Sequence, residues 1–130
     1  MNPPVRYKKD RETLWKQLKS GTVQCIATDH APHTLEAKAL GFPKAPSGMP
    51  GVETSLAVML THANDGACSI EDVVRWMSTN VADCYNMVGK GRLEEGADGD
   101  VVLVDMNNAR TVSDEHTWTC LLYTSPSPRD

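Results

Sequence analysis

Thr22-Val-Gln-Cys-Ile-Ala-Thr-Asp-His-Ala-Pro-His33 is the stretch on which the fold reading turns. Its first seven residues are mostly apolar and rich in β-branched side chains, which predicts a buried strand over residues 23–28. Immediately upstream, Asp10 is placed to cap a helix over residues 11–19, with Leu14, Trp15 and Leu18 on one face and Gly21 as its stop. A helix feeding directly into an apolar strand is the step expected of an α/β fold with a parallel sheet. In such folds the active groups gather at the carboxyl ends of the strands, because the loops there converge on one crevice. Asp29, His30 and His33 stand at that end.

A carboxylate beside imidazoles suits a zinc-activated water, since the metal lowers the water's pKa and a nearby carboxylate can accept its proton. The spacing alone leaves a second reading open, in which Asp29 caps a turn and His30 and His33 are solvated loop residues. Residues 34–51 carry Pro43, Pro46 and Pro50 and glycines at 41, 48 and 51, with little apolar period. Loops of this length inside compact domains are usually functional. Beyond them Val52, Leu56, Met59 and Leu60 recur at helical spacing as far as Asn64-Asp-Gly66. Ser69-Ile-Glu-Asp72 resembles a capping box, with Val73, Val74, Trp76 and Met77 as the buried side of the helix that follows. Asn80 is placed to cap a further short helix whose Val81, Ala82 and Tyr85 face inward, and Asp100-Val-Val-Leu-Val-Asp105 reads as a strand.

Thirteen basic against 17 acidic side chains give a net charge of −4, no field for gathering phosphates, so nucleic acid is not an expected partner. No apolar run approaches the roughly 20 residues needed to cross a bilayer, so no membrane partner is expected either. The first ten residues have no apolar core of a signal peptide, and the chain reads as cytoplasmic. Cys25, Cys68, Cys84 and Cys120 form no C-x-x-C pair. The first three read as buried small hydrophobes with free thiols. Trp76 and Met77 read as core, and His62 and His116 as surface residues.

Asp29-His-Ala-Pro-His-Thr-Leu-Glu36, then Lys38, then Ala45-Pro-Ser-Gly-Met-Pro-Gly-Val-Glu-Thr54 strongly resemble the dihydroorotases of the bacterial class within the amidohydrolase superfamily. Met1-Asn-Pro-Pro-Val-Arg6, Gly91-Arg-Leu-Glu-Glu-Gly96 and residues 100–105 extend the likeness, which runs to about Trp118. Ala37 stands where that family commonly has glutamate. The resemblance implies an α/β fold: residues 1–90 as the C-terminal part of a (β/α)₈ TIM barrel of the metal-dependent hydrolase type, and residues 91–119 as the return into a small β-sandwich segment. It implies a reversible ring closure of N-carbamoyl-L-aspartate to L-dihydroorotate in pyrimidine synthesis, with a binuclear zinc cofactor. Asp29 would then be both a zinc ligand and the general acid/base, and His33 would hold the substrate carboxylate. Asn2, Ser47 and Gly48 align with substrate-binding positions, and His30 is expected to be supporting or structural. Partners implied are the small-molecule substrate and, for the whole enzyme, a further copy or an aspartate transcarbamoylase. Two alternatives stand beside this reading: a non-catalytic dihydroorotase-like scaffold subunit, and a sibling hydantoinase or allantoinase.

A (β/α)₈ barrel takes about 250 residues, and this chain has 130. The expectation is a C-terminal fragment, inactive alone, whose H-x-H pair, carboxylated lysine and two further histidines lie upstream of Met1. From Cys120 the run Cys-Leu-Leu-Tyr-Thr-Ser-Pro-Ser-Pro-Arg-Asp130 resembles one reading frame of a sequencing-library adapter and is expected to be a non-native tail.

Overall fold

A computed structural model describes residues 4–113. Two compact units divide it, one centred on Thr28–Ser55 and one formed by Val5–Ala27 with Leu56–Asn108.

The second unit is helical. Helix α1, Lys8–Lys19, starts three residues earlier than the Asp10 cap would have it: Tyr7 is the capping position, without a side-chain cap. Asp10 sits instead in the first turn, where a carboxylate meets the positive end of the helix dipole, and Lys16 and Lys19 complement the other end. The apolar stripe turns Leu18 into the core and packs Trp15 against it, while Leu14 stays exposed. Helix α3, Ser55–Asn64, contributes Met59, with Leu60 and Ala63 packed alongside. Helix α4, Ile70–Val74, opens on the expected capping box, in which Ser69 Oγ accepts from the Asp72 amide and Asp72 Oδ2 accepts from the Ser69 amide, both at 3.1 Å. The chain then widens into a π-helical turn, Arg75–Thr79, and continues as α5, Asn80–Cys84.

The core of this unit is Leu18, Met59, Val73 and Trp76, the last two only 1% exposed. Ala82 is buried under Gly91, where a Cβ would lie 2.7 Å from the Ala82 methyl, so the chain turns here at a φ of +79° that only glycine holds without strain. Val74 and Tyr85 do not face inward as their spacing suggested. Both are exposed.

Two expected strands are absent among the described residues. Residues 23–28 form no ladder. The Val23 amide donates to the Gln17 carbonyl and the Ile26 amide to the Trp76 carbonyl, so the backbone is satisfied by helices. Residues 100–105 likewise form no ladder, and Val101, Val102, Leu103 and Val104 are exposed. A strand is defined by its neighbour, and no described segment supplies one. The β-sandwich expectation therefore has no strand here to rest on.

The first unit holds helix α2, Leu35–Ala39, inside what the sequence read as loop. Thr34 caps it, its hydroxyl accepting from the Ala37 amide. An isolated parallel bridge joins His30 to Met49. Asn2, His116 and the run from Cys120 lie outside the described residues.

Candidate functional site

Asp29 has a backbone φ of +47°, in the left-handed region that asparagine and aspartate tolerate better than other side chains. The turn sets an exposed carboxylate at the head of the His30–His33 segment. Backbone conformations of this kind, held by their surroundings, concentrate at functional sites.

Everything after Asp29 is fastened to the proline- and glycine-rich loop. The Ala31 amide donates to the Met49 carbonyl at 3.1 Å. His30 Nδ1 accepts from the Gly51 and Val52 amides at 3.1 and 3.2 Å, which fixes this nitrogen as the unprotonated one in the neutral ring. His30 thus accepts from the loop backbone through Nδ1. His33 Nε2 lies 2.9 Å from the Ser47 carbonyl oxygen, an acceptor only, so Nε2 carries the hydrogen. This contact ties His33 to Ser47 and leaves Nδ1 as the ring nitrogen open to a ligand. Gly48, at φ +128°, runs against the same segment: a Cβ there would sit 2.5 Å from the Ala31 carbonyl oxygen and 3.1 Å from His33 Nε2. Asp29, His33, Ser47 and Gly48, expected together from the sequence, therefore belong to one unit, and His33, Ser47 and Gly48 touch.

Lys38 was given no role by sequence reasoning. Its half-buried ammonium donates to the Pro46 carbonyl at 2.9 Å and to the Gly48 carbonyl at 2.6 Å, clasping the loop on either side of Ser47. A signal was there to read. Lys38 has Thr34, Leu35, Gly41 and Phe42 three and four positions away, so no helical neighbour offers it an acid. Glu36, in the first turn of α2, has its carboxyl pulled below the usual range by its own backbone amide and then by the Thr34 hydroxyl.

Among the described residues no three His, Cys, Asp or Glu side chains converge on a point that could hold a metal ion. Asp29 offers one exposed carboxylate, His30 Nδ1 is taken by two amides, and His33 Nε2 is committed to a carbonyl. This donor set does not hold a metal by itself, because a site needs three or four ligands.

Comparison with known proteins agrees with the motif. Residues 5–121 match the amidohydrolase family. Curated relatives include the dihydroorotase of Halobacterium salinarum, 44% identical over 124 residues, covering 92% of this chain and 29% of that protein. Another is the dihydroorotase of Halalkalibacterium halodurans, 39% identical over 132 residues, with 92% and 31% covered. The chain thus spans under a third of the length of these relatives. Among solved structures, the L-hydantoinase (dihydropyrimidinase) of Arthrobacter aurescens superposes with a TM-score of 0.70 at 37% identity, over 77% of this chain and 23% of that one. The dihydropyrimidinase of Brevibacillus agri gives 0.70 at 33% identity, over 76% and 23%. The fold is that of a TIM-barrel-type metal hydrolase. Motif, fold and match over most of its length lead to one statement: the chain belongs to the amidohydrolase family.

Proposed function

We propose that this chain is part of a dihydroorotase, a hydrolase of cyclic amide C–N bonds that interconverts L-dihydroorotate and N-carbamoyl-L-aspartate in pyrimidine biosynthesis. The observation that carries the reading is the clasp of the Ser47–Gly48 loop onto the segment headed by Asp29, by His30, His33 and Lys38. The identity to dihydroorotases over about nine-tenths of the chain supports the same choice of substrate.

Opening the ring requires a proton to leave the attacking water and a proton to reach the departing nitrogen. Asp29 is exposed and held by a fixed backbone turn, which suits one carboxylate to take the first and deliver the second. His33 faces the substrate carboxylate through Nδ1, Ser47 and Gly48 lie beside it, and Asn2, outside the described residues, is assigned to substrate binding by the family resemblance alone. The family implies a metal cofactor, and zinc with Asp29 as one ligand is part of this proposal. Its other ligands would come from outside the described residues. The domain division belongs to the proposal as well, with residues 1–90 in the barrel and residues 91–119 returning to a small β-sandwich.

The hydantoinase and dihydropyrimidinase neighbours favour a second reading, hydrolysis of a cyclic imide without a ring carboxylate. The complete enzyme carrying Asp29→Asn separates function from shape. Dihydroorotate ring opening should fall by ~10²–10⁴-fold, as for loss of an acid/base group. Activity retained within a few-fold would remove Asp29 from the chemistry. A wild-type enzyme that opens hydantoin but not dihydroorotate would establish the second reading.

A further inference from the structure

Cys25 and Cys84 are 59 positions apart in sequence, yet their sulfurs lie 3.6 Å from each other. The contact is held on both sides. Asn80 Nδ2 donates to the Gln24 carbonyl at 2.7 Å, and the Ile26 amide donates to the Trp76 carbonyl at 3.1 Å, so the residues flanking Cys25 are both bonded to the helical run that carries Cys84. Asn80 and Cys84 are one turn apart on α5 and share a face. The Cys84 thiol donates to Gln24 Oε1 at 3.3 Å, a further bond between the two segments. The expectation that these cysteines are buried hydrophobes fails here, since Cys84 is exposed and Cys25 half-buried. Gln24, Asn80 and Cys84 line an open cleft of about 500 Å³, wide enough for a small oxidant. Cys68, by contrast, packs against the Leu18–Met59–Val73–Trp76 core.

We propose that Cys25 and Cys84 form a modification site, a thiol pair that a peroxide converts to an intramolecular disulfide tying the segment before Thr28 to α5. Cys84 is exposed and lines the cleft, whereas Cys25 is half-buried, so Cys84 is the sulfur that meets the oxidant first. Its thiolate attacks hydrogen peroxide: an S–O bond forms, the O–O bond breaks, and hydroxide leaves and is protonated to water. The Cys84 sulfenic acid then meets Cys25, whose sulfur displaces the second hydroxide as the S–S bond forms. Two thiols lose two electrons and two protons, and one peroxide becomes two waters. The sulfurs must close from 3.6 Å to the bond length of about 2.05 Å, a displacement within reach of side-chain rotation.

The test uses the 130-residue chain itself. Reduced protein is treated with hydrogen peroxide, quenched with an alkylating agent, digested and mapped by mass spectrometry, in native buffer and in concentrated urea. A Cys25–Cys84 cross-linked peptide should exceed every pairing with Cys68 or Cys120 by at least about tenfold in native buffer, because held sulfurs react as neighbours rather than by encounter. Urea should abolish the preference. Equal proportions of all pairings in native buffer would overturn the proposal. So would Cys84 found as sulfinic acid with Cys25 still alkylated.

Discussion

Replacing Lys38 by methionine tests whether the loop bearing Ser47 and Gly48 is held in place by the clasp. Methionine keeps an unbranched apolar stem and removes the ammonium, so two bonds are lost, at 2.9 Å to the Pro46 carbonyl and 2.6 Å to the Gly48 carbonyl. Hydrogen bonds to a charged group contribute about 1.5–3 kcal/mol each, and half-burial of Lys38 points to the lower end, so the pair holds the loop by about 3 kcal/mol. At 1.4 kcal/mol per factor of ten, that is a shift of about a hundredfold in the balance between a set and a released loop. The Ala31–Met49 and His33–Ser47 bonds remain and make this an upper bound. In the complete enzyme kcat/KM for dihydroorotate should fall by about 10–100-fold, mostly through KM, because substrate must gather the loop before it can use it. Lys38→Arg keeps donors at the end of a long stem and should recover part of the loss. Steady-state kinetics of the three proteins decide the matter. A methionine variant within threefold of wild type, or an arginine variant no better than methionine, would refute the clasp.

Gly48→Ala puts a Cβ 2.5 Å from the Ala31 carbonyl oxygen at a φ of +128°, so it should lower kcat/KM more than Gly66→Ala, where a Cβ meets nothing within 4 Å; equal effects would deny the close approach any role. Trp76→Ala empties the centre of the helical unit and should cost about 3–5 kcal/mol in urea unfolding. A loss below about 1 kcal/mol would mean that Trp76 is not in a packed core. Glu71 has its carboxyl held below the usual range by its own backbone amide and then by the Ser69 hydroxyl. A depressed folded pKa gives stability that is present above the unfolded value and lost as pH falls through the folded one, so helical circular dichroism should decline on acidification and Glu71→Gln should blunt that decline.

The helices were legible because their signals are local. Leu14, Trp15 and Leu18 mark a 3.6-residue period, and Ser69 with Asp72 spells out a cap whose two bonds close within four residues. The strands were not, because residues 23–28 and 100–105 have strand composition but a strand needs a partner, and composition does not supply one. The π turn escaped for a related reason: nothing in Arg75-Trp-Met-Ser-Thr79 announces a widened coil. In the site, residue types were readable and pairings were not. Which carbonyl a lysine reaches eight or ten positions on depends on the path of the loop, and Pro46 and Gly48 leave several paths open.

Substrate choice comes down to one group. Dihydroorotate carries a carboxylate on the ring, whereas a hydantoin or an unsubstituted dihydropyrimidine does not, and Asp29 would serve the amide of either. Within the Thr28–Ser55 unit the lysines and histidines in and beside the loop are His30, His33, Lys38 and Lys44, and His33 is the one that this proposal sets against the carboxylate. Lys38 spends its ammonium on two carbonyls. His33 already donates through Nε2 to the Ser47 carbonyl, so in this proposal it would have to donate through Nδ1 as well to hold a carboxylate. Removing it costs the Ser47 tie whatever the substrate, but costs the charge-assisted contact only when the ring carries the anion. That contact is worth about 1.5–3 kcal/mol, so His33→Ala in the complete enzyme should lower kcat/KM for dihydroorotate by about 10–100-fold more than for hydantoin. Competition kinetics with the two substrates measure that ratio directly, free of any general loosening of the loop. An equal fall for both would take His33 off the carboxylate and pass the choice of substrate to other residues, with Lys44 of the same loop the next to test.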